Sequence, residues 1–512
     1  MPTMHEYVMA NFGGSPDIEA AIESGVVGLA KAALDTMKDE KELLDTIYDY
    51  TRGDHLLPYA PRDTTAEIKD TQKRSITNLI PLITGYPSQV LKVEGYRRGT
   101  FGDPDKIDDD ELRFPQEWHD WQRNRMDARQ HLIYETALRY GRAVVLADNL
   151  TGPKVRIDVL PARRTIPFFR DPANDIRPEA IVIVRRKPTE DIPGLIDVWD
   201  DVNFYQLSYD DGASDGGDFS LIAKPVPHGA DGCPAVRYHC FLDDEGSVQG
   251  VVERALPGQD RMNQSVFDTN VLSRNGSFKV RYAAGLKPTY RMDRNGEPVL
   301  DATGNPIPEP IAVSQARMLV SDSKETKFGS LDETPLDGHL EAEDKAMRNL
   351  AITSQLPPHM FLGNLSNLSA DALNAAEIGF RRFIGYLQSV FADSHEELLR
   401  IICELNDDTE GAESYGGEVR WASISLHTFS ALMDGLSKGV ESLGIPREAA
   451  WSMMPEQTSG RQLAWRKMRE NQLAEDLVAG DTGFEDSATR ETGVPVVTKS
   501  AESGGARLGS IY

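Results

Sequence analysis

The chain has 512 residues, of which 40% are hydrophobic and 27% charged, a composition typical of a soluble folded protein. Its 81 acidic and 55 basic residues leave a formal net charge of -26, which argues against the basic surface of an ordinary DNA-binding module. The same charge is compatible with a surface past which DNA slides without sticking, and equally with a charge that only keeps a large protein in solution.

Length and residue types bound the organisation further. A chain of this length predicts about two to four structural regions instead of one core. The apolar runs are shorter than the roughly 20 residues that span a bilayer, so no membrane partner is expected, and no secretory signal is recognised. Three scattered cysteines, Cys233, Cys240 and Cys403, predict a reducing compartment without a disulfide framework.

The first hundred residues predict helices separated by turns. Residues 1–40 have a weak helical pattern, and the stretch KELLDTIYDYTRGDHLLPYAPR predicts a helix that ends near Arg52 and Gly53. The stretch SITNLIPLITGYPSQVLKVEGY predicts a helix that Pro87 ends, followed by a short strand.

The next segment predicts an α+β region. Residues 101–111, FGDPDKIDDDE, lack the spacing of a calcium-binding loop and are interpreted as a solvated acidic loop. Apolar side chains at helical spacing predict one helix from 116 that Gly141 ends, followed by the strand RAVVLAD. Further strands are predicted at 155–160, 179–187 and 198–208.

The middle of the chain alternates between helix and loop-rich sequence. Residues 246–273 carry an apolar stripe that predicts a helix, which Pro257 and Gly258 either kink or begin. Residues 274–335 are rich in Gly, Pro and Asn between the strand candidates FKVRYAA and IAVSQARMLV, which predicts a small β module. A third helix is predicted at 336–356.

The stretch SQLPPHMFLGNLSNLSADALNAAEIGF, residues 354–380, places a proline pair and a polar loop between two helices. The helix after it keeps its apolar period to about residue 405, far beyond the mean globular helix of about 11–12 residues, and Ser369 suits its N-cap. Residues 429–475 predict more helix, and from 476 the loss of hydrophobic pattern predicts a disordered tail.

No stretch of the sequence carries a recognised catalytic or cofactor motif. Phosphate-binding loops, dinucleotide fingerprints and nucleophile elbows are absent, and His395-Glu396 lacks the second histidine of a zinc protease. The spacing of Cys233, His239 and Cys240 is not that of a zinc finger. Paired basic residues, such as Arg97-Arg98, are interpreted as solvated groups or ion-pair partners. We therefore predict no enzyme activity, no catalytic residue, no cofactor and no metal.

Four stretches in order resemble the portal proteins of tailed double-stranded DNA bacteriophages, in particular those of actinobacterial siphophages. These stretches are YDYTRGDHLLP, WQRNRMDARQHLIYETALRYGRAVVL, VVERALPGQDRMNQSVFD and QLPPHMFLGNLSNLSADALNAAEIGF. The resemblance runs from about residue 40 to 470 and implies an α+β subunit with a wing, a two-helix stem, a small β-containing clip, a long wing helix and a helical crown.

Carried over onto this sequence, the resemblance implies a definite set of divisions. They are an N-terminal arm at 1–40, a wing at 41–245, stem helix 1 at 246–273, a clip at 274–335, stem helix 2 at 336–356, a tunnel loop at 357–369, the long helix with further wing at 370–428, a crown at 429–475 and the tail at 476–512. The Pro- and Gly-rich insert at 291–310 leaves the clip borders open by several residues.

The resemblance also implies residues that face DNA. The tunnel-loop candidates are Asn364, Leu365, Ser366, Asn367 and Leu368. The anchors implied at the base of that loop are Leu356, Pro357, Pro358, Met360 and Phe361. On the second stem helix, Lys345 and Arg348 are implied as basic groups near the channel.

The implied partners follow from the same resemblance. We expect a homo-oligomeric ring of twelve at one vertex of the virion capsid, double-stranded genomic DNA in its channel, the terminase large subunit, the major capsid protein and scaffold, and a head-to-tail adaptor. The terminase would supply the ATPase. The alternatives are another head-assembly component, such as a minor capsid or adaptor protein, and an enzyme of unrecognised type.

Overall fold

The computed structural model describes residues 18–98, 115–150, 152–210, 219–277, 281–284, 290–293, 296–301, 304–307, 327–330, 335–362, 370–422, 424, 429–444, 450, 465 and 467–472. The chain divides into two compact units, of which one comprises Met1–Lys106 with Phe114–Leu426 and the other Ile107–Arg113 with His427–Tyr512. None of the described helices combines the length and apolar character that a membrane span requires.

Helices and strands are numbered here in chain order. The helices are α1 (Ile18–Arg52), α2 (Ala66–Arg74), α3 (Ile80–Val90), α4 (Gln116–Arg123), α5 (Met126–Tyr140), α6 (Val251–Ser277), α7 (Asp337–Thr353), α8 (His359–Leu362), α9 (Ala370–Leu405), α10 (Thr409–Ala412) and, in the second unit, α11 (Phe429–Leu443).

The strands all lie in the first unit. They are β1 (Val93–Arg97), β2 (Arg142–Asp148), β3 (Arg156–Leu160), β4 (Thr165–Phe168), β5 (Ala180–Arg186), β6 (Gly194–Trp199), β7 (Asn203–Tyr209), β8 (Phe219–Leu221), β9 (Val226–Pro227), β10 (Ala235–His239), β11 (Phe241–Leu242), β12 (Val248–Gln249), β13 (Arg281–Ala284), β14 (Lys327–Ser330) and β15 (Glu418–Trp421). Helices and antiparallel sheets coexist, which confirms the predicted α+β class.

Two antiparallel sheets lie face to face in the first unit. One has the order β10-β2-β3, and the other has the order β4-β5-β6-β7-β8 with β9 beside β7. Along β2, Val145 and Ala147 join the core shared with the helices, whereas Val144 and Leu146 join the layer between the sheets. A strand that is buried on both faces reads as a continuous apolar run, which is why RAVVLAD is predicted correctly.

The outer face of the larger sheet is covered by α1. Val26, Ala30 and Ala33, spaced three and four apart, are fully buried against alternate residues of that sheet. The helix runs without a break from Ile18 to Arg52 and so crosses the predicted border at residue 40. It ends before Gly53, whose φ of 93° suits glycine, as the sequence predicts.

The segment predicted as one helix from residue 116 is two helices, so that prediction is wrong. The break lies at Asn124 and Arg125, and Arg125 has a left-handed φ of 56°. The Asn124 side chain donates to the carbonyl of Val155 and accepts from the amide of Ile157. These contacts with the start of β3 stabilise the turn, and they come from residues about thirty positions away.

The strand predicted at 198–208 is also wrong, because two strands of a hairpin occupy it. Strands β6 and β7 pair antiparallel through Trp199 and Phe204. Between them, the Asp200 carboxylate accepts from the amides of Val202 and Asn203, at 2.9 and 2.6 Å. An aspartate that caps its own turn in this way reverses the chain within a few residues.

Both prolines that the sequence marks as helix boundaries lie inside helices. Pro87 does not end α3, which continues to Val90, and Pro87 is itself buried, so packing offsets its missing hydrogen bond. Pro257 does not begin the next long helix, because α6 starts at Val251. The helix end predicted at Pro87 and the helix start considered at Pro257 are wrong, whereas a kink at Pro257 stays a prediction.

The remaining predicted elements agree with the structure to different degrees. The long helix is confirmed as α9, which has 36 residues. Strand β13 lies within FKVRYAA and pairs with β14, whereas IAVSQARMLV lies outside the described residues. The predicted tail at 476–512 also lies outside them.

Candidate functional site

Helices α6 and α7 pack against each other at close range. Their contact places Leu350 of α7 over Gly258 of α6, where an added Cβ atom would lie 3.0 Å from the leucine Cδ1. Leu350 and Ala351 are buried there, together with Val252 and Ala255 of α6. The role of Gly258 is thus to let two helices approach, a long-range reason that local sequence does not reveal.

The opposite side of α6 is polar and holds the loop after α1. The Tyr50 hydroxyl donates to the Asp260 carboxylate at 2.6 Å, and the Asn263 amide pairs with a ring nitrogen of His55 at 2.9 Å. Burial, followed by the hydrogen bond to Asp260, raises the pKa of Tyr50, and burial lowers the pKa of His55. Two of the four family-like stretches, YDYTRGDHLLP and VVERALPGQDRMNQSVFD, therefore meet in space.

The outer side of α7 is exposed and of mixed character. Lys345 and Arg348, the predicted stem residues, are both exposed and lie three positions apart, so they share a side of the helix. Leu340 is 51% exposed and Ile352 is 65% exposed on the same helix. These apolar and basic side chains are available to a partner in the isolated subunit.

The turn after α7 is tightly built. The helix ends at Thr353, before the proline pair, and Gln355 adopts a left-handed φ of 57°. The amide of Leu356 then donates to the carbonyl of Ala351 at 2.9 Å, which satisfies one of the last carbonyls of the helix.

The structure brings the predicted loop anchors together at this turn. Leu356 and Pro357 are buried, whereas Pro358, Met360 and Phe361 are half-buried, and Phe361 packs on the main core. The predicted channel residues Asn364, Leu365, Ser366, Asn367 and Leu368 lie outside the described residues.

Helix α9 crosses the main core and carries a buried histidine that motif reasoning did not explain. His395 is fully buried, and its two ring nitrogens contact the hydroxyls of Tyr134 at 2.7 Å and Tyr238 at 3.0 Å. Burial lowers the pKa of His395 to about 3 and raises the pKa of both tyrosines. The neutral, fully buried ring links α9 to α5 and β10.

Both arginines of the Arg97-Arg98 pair are ion-pair partners. Arg98 donates from Nε to Glu117 at 2.7 Å and also pairs with Asp408, and the Glu117 hydrogen bonds raise its pKa. Glu117, Cys403 and Asp408 are close enough to hold a metal ion, but the guanidinium already lies among them. This arrangement favours a structural ion pair over a metal centre.

The cysteine thiols are inert. All three are buried, and burial raises the pKa of Cys240 and of Cys403 to about 12. Cys233 and Cys240 do not form a potential metal-binding group with His239 among the described residues. A thiol with a raised pKa in an apolar site is a poor nucleophile and a poor metal ligand.

Beyond β13, two turns repeat the same design. The Asp293 carboxylate accepts from the amide of Glu297 at 2.9 Å, and the Asp301 carboxylate accepts from the amide of Asn305 at 3.0 Å. Gly296 is the positive-φ residue of the first turn. The eight-residue repeat in MDRNGEPVLDATGNPI could have revealed this pair of turns from the sequence.

Comparison with protein-family models identifies the family of this chain. The model described as "Phage portal protein, SPP1 Gp6-like" matches residues 31–473. The chain belongs to this portal protein family. The predicted resemblance is confirmed. Because the match identifies a portal protein, the rival assignments to a minor capsid or adaptor protein and to an enzyme are set aside.

Portal proteins form an oligomeric ring at the capsid portal vertex, through which DNA passes. No curated protein matches this portal protein. Solved structures similar to it include "Virion of native gene transfer agent (GTA) particle", at 14% identity and a TM-score of 0.37, over 80% of this chain and 94% of that chain. "Neck of native GTA particle computed with C12 symmetry" has 13% identity and a TM-score of 0.37, over 78% and 94%.

Proposed function

We propose that twelve copies of this portal protein form the ring, that helices α6 and α7 of each copy form its stem, and that the segment after α7 narrows the channel. The observation that carries the proposal is the family match over residues 31–473, together with the close pair of long helices found within it. The channel would serve both the packaging and the ejection of double-stranded DNA.

The exposed side of α7 supports the stem assignment. A helix that exposes Leu340 and Ile352 leaves apolar surface that a ring can bury between neighbouring copies. Lys345 and Arg348 add positive charge to a protein whose net charge is -26. A few cations in an acidic channel would bind DNA phosphates only weakly. Weak binding suits a channel, because tight phosphate contacts would stop DNA from moving.

The tunnel-loop proposal rests on the position of residues 364–368. In the sequence they follow the turn at Leu356 and Phe361, which packs on the main core, and they precede α9. Asparagine and serine side chains would present neutral hydrogen-bonding groups to passing phosphates.

A deletion tests the loop. Removing residues 364–368 should leave folding and ring formation intact and should lower the yield of DNA-filled particles, because the proposal places these residues in the channel and not in the subunit interior. A replacement of the same five residues by glycine and serine controls for segment length. Loss of the folded subunit after deletion, seen by circular dichroism, would show that the loop is a core element.

The clip proposal assigns residues 274–335 to the docking of the terminase large subunit and, later, the head-to-tail adaptor. Strands β13 and β14 close this segment, and Ala284 pairs directly with Lys327. Replacing residues 285–326 by Asn-Gly should therefore give a tight hairpin that keeps α6 and α7 in place. The variant should form rings but fail to retain purified terminase in a pull-down, and retained binding would contradict the assignment.

The wing and the crown complete the proposal. The wing would meet the major capsid protein and scaffold during assembly, and the crown, predicted at 429–475, would lie inside the capsid. Within the crown, the described helix Phe429–Leu443 forms part of a unit of its own.

A further inference from the structure

A cleft opens between α1, α5 and the ends of strands β3, β5 and β7. It has a volume of about 1080 Å³. Apolar side chains, among them Leu34, Met37 and Leu132, form part of its lining, and Leu132 is 52% exposed. The cationic side chains that line it are Lys38, Lys41, Arg163, Arg164 and Lys187. These residues define the basic cleft.

The positive charge of the basic cleft is largely uncompensated. Asp45 and Asp210 are the acidic residues in its lining. In the part of the chain that the structure describes, Arg163 pairs with Asp45, and the other four cations have no ion-pair partner. Four such cations line one cleft in a protein whose net charge is -26. They indicate that the cleft receives an acidic group.

A complementary surface lies beyond the end of α9. The segment 407–418 exposes Tyr415 to 75%. Arg400 stacks on the Tyr415 ring, with its guanidinium carbon 4.7 Å from the ring centroid. The exposed carboxylates of this segment are Asp407, Glu410, Glu413 and Glu418. Together with Tyr415 they define the acidic knob, and Arg97 lies 4.0 Å from the carboxylate of Glu418.

The basic cleft and the acidic knob lie on opposite sides of α5. Leu132 and Thr136 of that helix line the cleft. Tyr134 stacks on Phe391 of α9, with ring centroids 5.3 Å apart. Residues two positions apart point about 200° from each other around a helix, so α9 at Phe391 is on the far side from the cleft. Trp421, which follows the knob in the chain, also lies beside Tyr134, with ring centroids 5.9 Å apart.

We propose that the acidic knob of one portal subunit docks into the basic cleft of the next, as a head-to-tail contact around the ring. A ring interface joins two different surfaces on opposite sides of the subunit, which is how these two surfaces are placed. The contact rests on the ring proposed above. It supplies local attraction between copies that otherwise repel one another.

The chemistry of the cleft favours a protein occupant over DNA. Leucine and methionine side chains line it beside the cations, and they match an aromatic knob such as Tyr415 better than a sugar-phosphate backbone. A second copy of the chain offers both the aromatic ring and the carboxylates. DNA in the cleft is an outcome that the experiment below would reveal.

Cysteine cross-linking tests the contact directly. The full chain with Leu132→Cys and Tyr415→Cys, treated with a bis-maleimide, should give a ladder of covalent oligomers, because each copy would be linked to the next. The three native cysteines are buried and should not react. Either single variant, and the pair Leu132→Cys with Ile378→Cys, should give no ladder. Rings that assemble normally but give no ladder would overturn the contact and leave the ring intact.

A charge exchange gives an independent readout. Lys41→Glu with Lys187→Glu should weaken ring assembly about tenfold or more at low salt, and adding Glu410→Lys with Glu413→Lys should restore it. The matched control is Lys154→Glu with Lys224→Glu, which changes the net charge equally on exposed lysines outside both surfaces. Unchanged assembly of the Lys41→Glu, Lys187→Glu variant would overturn the contact. So would a variant that assembles normally and loses only its binding to a short DNA duplex. A chain that stays monomeric under all conditions would contradict the ring as well.

Discussion

The body around α9 and the α6–α7 pair differ in how completely they satisfy their own side chains. In the body, His395 pairs with two tyrosines, and Arg98 satisfies a carboxylate that is 1% exposed. On α7, by contrast, Ile352 remains 65% exposed. The interior of the body pairs its own buried polar groups, whereas the outer side of α7 leaves apolar side chains exposed. Substitutions in the two regions should therefore have different consequences.

The largest expected effect on stability comes from the middle of α9. Phe391→Ala should cost about 3–5 kcal/mol in the free energy of unfolding, because Phe391 is fully buried and a cavity replaces its ring. Ile378→Ala on the same helix, at a half-exposed position, should cost less than about 1 kcal/mol. Urea denaturation of both variants measures the two free energies of unfolding. Equal losses of stability would contradict the difference expected between the buried and the exposed position of α9.

Neighbouring arginines give a second contrast. Arg98→Ala should destabilise the fold by about 3 kcal/mol, because it leaves the buried carboxylate of Glu117 without its partner. Arg97→Ala should have no measurable effect, since Arg97 is exposed and lies 4.0 Å from Glu418. Thermal unfolding of the two variants measures this difference in stability. A harmless Arg98→Ala would mean that solvent reaches Glu117.

Acidification should weaken the body through His395. Its folded pKa of about 3 lies below the ordinary value of 6.5, so the unfolded chain binds more protons and stability falls as the pH drops below 6.5. Between pH 8 and pH 4.5 this histidine alone should account for a loss of about 2–3 kcal/mol.

A pair of histidine variants isolates that contribution. His395→Gln should show a smaller loss of stability between the two pH values than the parent chain, whereas His119→Gln, at an exposed position, should behave like the parent. Urea denaturation at both pH values gives the numbers. The same pH dependence in all three proteins would show that His395 is not the group responsible.

The smallest effect on stability is expected on α7. Lys345→Glu with Arg348→Glu should change the free energy of unfolding by less than about 0.5 kcal/mol, because both side chains are exposed. The same variant should package less DNA if these cations face the channel. Particles with normal DNA content would place both residues away from the channel.

The sequence predicts those parts of the fold that local periodicity determines. The period of α9 is sustained over ten turns, and β2 reads as a strand because both of its faces are buried. The break at Asn124 and the close approach at Gly258 depend on partners far along the chain, so local patterns misplace both.

In the candidate site, too, some features can be predicted from local sequence and others depend on distant parts of the chain. The turn around Leu356 is marked in the sequence by the proline pair and by the helix that precedes it, whereas the anchoring role of these residues is implied by the family resemblance and stays a prediction. The basic cleft does not, because Lys41 on α1 and Lys187 after β5 are brought together only by packing. No single stretch of sequence carries that cluster, and its complement at Tyr415 comes from a third part of the chain.

The most direct test of the portal assignment is the assembly state of the purified full chain. Native mass spectrometry and negative-stain imaging at several salt concentrations should show closed rings with a central opening, and the ring mass should correspond to twelve subunits. A strict monomer at high protein concentration under every salt condition would contradict the account.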